Sequence, residues 1–327
     1  MASTFYSQIA ANRRNSFLLG FVVVALLAAL GLTIGYAWSG SASGAIGVTG
    51  FAVVLGLIAA LASYFGGDRL VLTVSGAREV DERSAPQLIN VVRELSLAAA
   101  IPMPRVYIIN DTAPNAFATG RDPAHASIAA TTGLLEKLDR EELQGVIGHE
   151  LSHVRNYDIR FSLLVGVLVG IVALLADFFL RFTFWGGMGR RSSGDGEGRG
   201  GGGLQAIVFV VALILAILAP IAARLVQLAV SRQREYLADA SSVELTRNPA
   251  GLERALAVIA SDREVLEVAN RATQHLYFTN PIKKWEERAS GLFSTHPPIV
   301  ERINRLRQLT GEAPLDTAET GALRGLE

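Results

Sequence analysis

The chain contains no cysteine. Disulfides and thiolate metal sites are therefore excluded, and the redox compartment leaves no trace in the sequence. Any metal site must be assembled from histidine, aspartate and glutamate. Histidine is itself scarce, with 5 in 327 residues. Charge is thin as well, at 18% of residues, against roughly 25% in soluble domains. Basic and acidic residues number 30 each, so the formal net charge is zero. No basic field marks a nucleic-acid partner.

The missing charge is concentrated in long apolar runs. Residues 17–38 and 45–65 carry none, and each is long enough to cross a bilayer core, which takes about 20 residues. The stretch between them, SGSASG at 39–44, has room only for a turn. Residues 1–67 are therefore expected to form a transmembrane hairpin with spans at about 16–38 and 45–65. A cleaved signal peptide is rejected, because the first run is too long and a second follows at once. A third run, 159–185, carries Asp177 and Arg181. These lie four apart on a helix and either pair or sit near the far interface. A fourth run, 204–230, contains Pro220 as an expected kink. The loop 186–203 between them holds ten glycines and almost nothing apolar, so it cannot bury a core.

Arg13 and Arg14 precede the first run, while its connecting turn is uncharged. The positive-inside rule then puts both termini and both polar parts, 68–158 and 231–327, in the cytoplasm. If the third and fourth runs both span, loop 186–203 lies outside. Its three arginines argue mildly against that, and partial insertion of 159–185 and 204–230 is the alternative.

The part 68–158 reads as α/β. Helical periodicity covers 86–99, and short strands are expected at 106–109, 115–120 and 127–131. Residues 70–74 fit either a strand or the exit of the second span. Then comes EELQGVIGHELSH at 141–153. Asp139 and Glu142 form a capping box at the start of a helix. On that helix His149 and His153, four apart, share one face and can grip one metal ion. Glu150 lies about 100° further round. From there it can take a proton from water at the metal without itself being a ligand.

A catalytic zinc site needs a third ligand. Glu235 and Asp239, four apart in REYLADA, are the candidates. Glu235 fits as ligand and Asp239 as hydrogen-bond partner of a liganding imidazole. The plainer reading is a charged helix face, with Arg232 and Arg234 pairing to the same carboxylates. His125 in a turn and His275 on a polar helix read as surface residues.

The motifs PNAFATG (114–120), GHELSHVRNYD (148–158), REYLAD (234–239) and STHPP (294–298), with the apolar pairs, resemble the HtpX family of bacterial membrane zinc metalloproteases. That family is distantly related to the CAAX prenyl proteases. The resemblance implies one zinc ion held by His149, His153 and Glu235, with Glu150 as catalytic base. It also implies that Asn115 and His296 lie beside the metal, where either can support the developing oxyanion. The expected fold is a mainly α membrane protein. Four apolar helical segments accompany a cytoplasmic zincin-like α+β metalloprotease domain with a small sheet. The expected activity is endopeptidase cleavage of misfolded or damaged membrane proteins at the bacterial inner membrane, as quality control under stress. The partners are those substrates and the lipid bilayer, with no nucleic acid. A proteolytically inactive membrane-anchored zinc scaffold is the rival. A transporter with an intramembrane metal fits less well, because every proposed ligand lies outside the apolar runs.

Overall fold

The computed structural model describes residues 5–185, 202–262, 264, 297–316 and 319. Most of loop 186–203, His275 and His296 lie outside the described residues. The fold is mostly helical with one small mixed sheet. It divides into two compact units. One comprises 1–12, 64–162 and 228–327; the other comprises 13–63 and 163–227.

The second unit is made from α1 (Phe5–Ser39), α2 (Ala42–Val74), α6 (Asp158–Trp185) and α7 (Gly202–Thr246), each in part. Leu27, Leu30 and Ile34 pack with Ile171, Val172 and Phe179, and with Ala212, Ala216, Ala219 and Ala223. The alanines recur at steps of four, three and four, a seam small enough for close helix packing. The opposite faces stay apolar and exposed, among them Phe51, Leu57 and Ile58 on α2 and Ile207, Val210 and Ile214 on α7. Water does not tolerate so extended an apolar surface, whereas lipid does. Among the described residues, two windows are long and apolar enough to cross a membrane, Ala42–Ala59 and Ala206–Ala223. Val24–Ser39 is a shorter apolar stretch. Asp177 and Arg181 on α6 do pair, at 2.7 Å.

Residues 70–74, which fitted either a strand or the exit of the second span, are the last turns of α2, which ends at Val74. The fourth apolar run lies within α7, which continues unbroken past residue 230 to Thr246 with Pro220 inside it. The polarity changes there while the helix does not, since RQREYLADA contains no glycine or proline to end it.

The first unit is built on four strands, β1 (Arg78–Glu79), β2 (Arg105–Ile109), β3 (Ala116–Gly120) and β4 (Ala126–Thr131), in the order β1-β2-β4-β3. β2 and β4 run parallel, and the two outer pairings are antiparallel. Alternation divides the side chains between the faces. Val106, Ala116, Ala118, Ala126, Ile128 and Ala130 share a core with α3 (Pro86–Ala99) and α5 (Arg140–Arg155). Tyr107, Ile109, Phe117 and Ala129 pack on the other side with Leu72. The alanines of β3 and β4 keep that surface low, so α5 lies close over the edge strand.

α5 starts at the expected capping box. The Asp139 side chain accepts from the Glu142 N–H at 2.9 Å, and Glu142 accepts from the Asp139 N–H at 2.9 Å. Its other side meets α7 and α8 (Pro249–Ser261) at glycines. A Cβ on Gly145 would stand 2.7 Å from the Leu252 backbone, and one on Gly251 would stand 2.7 Å from the Glu141 carbonyl. Ser242 of α7 donates to the Gly145 carbonyl at 2.7 Å. The chain closes with α9 (Ile299–Thr310), which buries Arg302, Ile303 and Leu306.

Gly145→Ala should therefore lower stability by about 1–3 kcal/mol, because backbone must move to admit the methyl group. Gly66→Ala, where an added Cβ meets nothing within 4 Å, should leave the melting temperature unchanged or higher. Thermal unfolding of the two detergent-purified variants measures the contrast.

Candidate metal centre

α5 presents His149 and His153 on one face, and α7 brings Glu235 to them. The His149 and His153 Nε2 atoms stand 3.1 Å apart. Glu235 Oε2 lies 3.6 Å from His149 Nε2, and Oε1 lies 3.5 Å from His153 Nε2. The carboxylate contacts are too long for hydrogen bonds. They match instead the separation of about 3.3 Å between two donors that share a tetrahedral ion at about 2.0–2.1 Å. Among the described residues these three form a group able to hold a metal ion.

The far nitrogens support the same reading. His149 Nδ1 lies 2.9 Å from Asp239 Oδ1, and His153 Nδ1 lies 3.1 Å from Asp158 Oδ2. A carboxylate accepts, so in the neutral imidazole Nδ1 carries the hydrogen and Nε2 presents its lone pair. Two lone pairs then face each other at 3.1 Å, an arrangement that a bound cation would satisfy.

Charge counting agrees. Glu150, Asp158, Glu235 and Asp239 are all at least nine-tenths buried, and so are Arg234 and Arg302. Four carboxylates against two guanidiniums leave two negative charges, which a divalent cation balances. The donor set, two imidazoles and a carboxylate without a thiolate, is one that zinc accepts.

The Ala118 backbone amide of β3 hydrogen-bonds the Glu150 carboxylate. Burial pushes its pKa above the ordinary range, and the charge on Glu235 adds to that, against the opposing pull of both imidazoles and of the amide. A carboxylate so placed accepts a proton more readily than one in water. For Asp239, burial alone would raise the pKa. The Arg302 guanidinium and His149 outweigh it and hold the group ionised.

Asp239 was anticipated beside an imidazole, and it lies there. Asn115 sits buried at the entry to β3, where its amide oxygen accepts from the Ala116 N–H at 3.0 Å. His125 is exposed on the short 3-10 turn Pro123–His125 and bonds Asp122 at 2.7 Å.

Three further residues escaped the sequence reading. Asp158 was visible in GHELSHVRNYD, five residues past His153, but nothing in the spacing said that the chain turns back. Arg234 had been read as part of a charged surface. Arg302 is fully buried and grips Asp239 with both arms of its fork, Nε to Oδ2 at 2.9 Å and Nη2 to Oδ1 at 2.7 Å. It is 63 residues from that partner, and no local pattern reveals such a contact. Arg305, one turn on, lies over the Tyr236 ring at 3.4 Å.

Residues 82–310 match peptidase family M48. A protein named "Protease HtpX homolog" from Streptococcus gordonii is 46% identical over 304 residues, covering 93% of this chain and 99% of its own length. One of the same name from Streptococcus pneumoniae is 48% identical over the same span. Among solved structures, Ste24p of S. mikatae is similar over 91% of this chain and 66% of its own, with 17% identity and a TM-score of 0.45. Taken with the apolar helices and the cluster on α5 and α7, the match along the chain makes this protein a membrane metalloprotease that belongs to peptidase family M48.

Proposed function

We propose that the protein is a zinc-dependent endopeptidase of the bacterial inner membrane that cleaves misfolded or damaged membrane proteins as part of stress-related quality control. The observation that carries this reading is the meeting of His149, His153 and Glu235 beside the buried carboxylate of Glu150. His149, His153 and Glu235 would hold one zinc ion. Zinc, when bound, supplies the Lewis acid that polarises the peptide carbonyl and acidifies a water molecule.

The chain's own groups do the rest. Glu150 accepts the proton of the attacking water and later gives it to the leaving amine. Asp239 keeps His149 in one tautomer and orientation. β3 is an edge strand of the sheet and lies beside the helix that carries Glu150. An extended substrate segment adding to that edge would run past the base with its backbone paired. By family resemblance, Asn115 at the start of β3 and His296 would donate to the developing oxyanion. The substrates are those that expose unfolded, strand-forming segments next to a bilayer.

The arrangement in the membrane follows from charge. The N-terminal hairpin spans, with both termini and both polar parts in the cytoplasm, because Arg13 and Arg14 flank the first segment while its connecting turn has no charge; segments 159–185 and 204–230 either span or insert partly.

Glu150→Gln should keep one zinc per chain and lose about a hundredfold or more of casein cleavage. Glu235→Gln should lose the zinc itself. Metal analysis alongside the protease assay separates the two, and full zinc with full activity in Glu235→Gln would refute the ligand assignment. For topology, a C-terminal reporter should be active only in its cytoplasmic form. Activity of the periplasmic form alone would reverse the orientation.

A further inference from the structure

Each imidazole of the centre is backed by an aspartate, and each aspartate by an arginine. His149, Asp239 and Arg302 form one such line; His153, Asp158 and Arg234 form the other. The second line has a distinctive origin. α5 ends at Arg155, and only Asn156 and Tyr157 separate it from α6. Tyr157 takes φ 60°, a left-handed conformation that is strained for a bulky side chain and persists only where the surroundings enforce it. That turn brings Asp158, 3% exposed, back under the helix it has just left. Its Oδ2 lies 3.1 Å from His153 Nδ1, and its Oδ1 lies 3.4 Å from Arg234 Nε. Arg234 Nη1 also donates to the Asp158 backbone carbonyl at 3.3 Å.

Arg234 immediately precedes Glu235 on α7. One ion pair therefore connects the support of His153 on α5 to the turn that carries the third donor. We propose that Asp158, held by Arg234, is a positioning residue of the metal centre. It fixes the tautomer and aim of His153, and it keeps His153 and Glu235 in register before any metal arrives. This rests on the zinc reading above.

The two lines are not equal. Arg302 holds Asp239 by two short bonds, and His149 is fully buried. The Asp158–Arg234 contact is longer, and the His153 side chain is 16% exposed. His153 is thus the imidazole that yields first when the metal leaves, and weakening its support speeds release.

Asp158 also opens α6, where a carboxylate favours the helix N-terminus, so a merely structural role must be told apart. The test uses full-length protein in detergent. Zinc affinity is measured by competition with a chromophoric chelator, zinc release by trapping, and melting on the metal-free protein. Asp158→Asn should weaken zinc by about 10–100-fold, speed its release, and cost metal-free stability less than it costs zinc affinity. The absorption of the cobalt-substituted protein should change as well, since His153 is no longer held. Wild-type zinc affinity and release in Asp158→Asn would overturn the proposal. So would a loss of affinity matched by an equal loss of metal-free stability, which would reduce Asp158 to a helix cap. If Asp158→Asn does not fold, Arg234→Lys decides, since lysine keeps the charge and loses the fork. Weaker zinc with the fold intact supports the register role, and unchanged zinc rejects it. If the wild type itself binds no zinc, the metal reading fails instead.

Discussion

Burying four carboxylates around two imidazoles is the constraint on which the rest of this protein depends. An ion taken out of water costs several kcal/mol even after the surroundings relax. Each carboxylate must therefore meet a positive partner. The chain supplies Arg234 and Arg302, and the remaining imbalance calls for a divalent cation. Without one, the burden falls on the imidazoles. Burial alone would lower their pKa values, yet the surrounding carboxylates raise both.

Much of the first unit can be understood as the means of holding that cluster. α5 carries His149, Glu150 and His153 within about one and a half turns and lies close to β3. Small side chains allow this on both sides, alanine on β3 and β4 beneath, glycine where α8 crosses behind. α9 contributes a buried guanidinium and a ring contact, Arg302 to Asp239 and Arg305 to Tyr236. Burial shifts the Tyr236 hydroxyl up to about 12, with Glu301 adding to it. That ring therefore stays neutral under the arginine, and α9 is fastened to α7 at two successive turns.

Local features were legible in the sequence, and long-range ones were not. The capping box at Asp139 and Glu142, the paired histidines, the helix 86–99 and the strand run at 106–109 each depend on residues within a few positions of one another. β1, only two residues long, leaves no periodic signal. Residues 70–74 were ambiguous because LVLTV serves a strand and a helix end equally well, and only continuity with α2 decides. Residue 230 marks a change of polarity within α7 rather than an end of the helix. Asp158 depended on an unusual turn at Tyr157, and Arg302 on a contact across more than sixty residues. Family resemblance pointed to Glu235 where spacing alone left a choice.

The centre is also spread along the chain, and this has a consequence for how the protein is made. His149 and Arg302 are 153 residues apart. At about 5–20 residues per second, a ribosome needs roughly 8 to 30 s to cover that distance. Throughout that interval the growing chain holds both imidazoles and the base but lacks Arg302 and, for the first part, Glu235 as well. The cluster as folded cannot be completed until Arg302, which grips Asp239, has been synthesised.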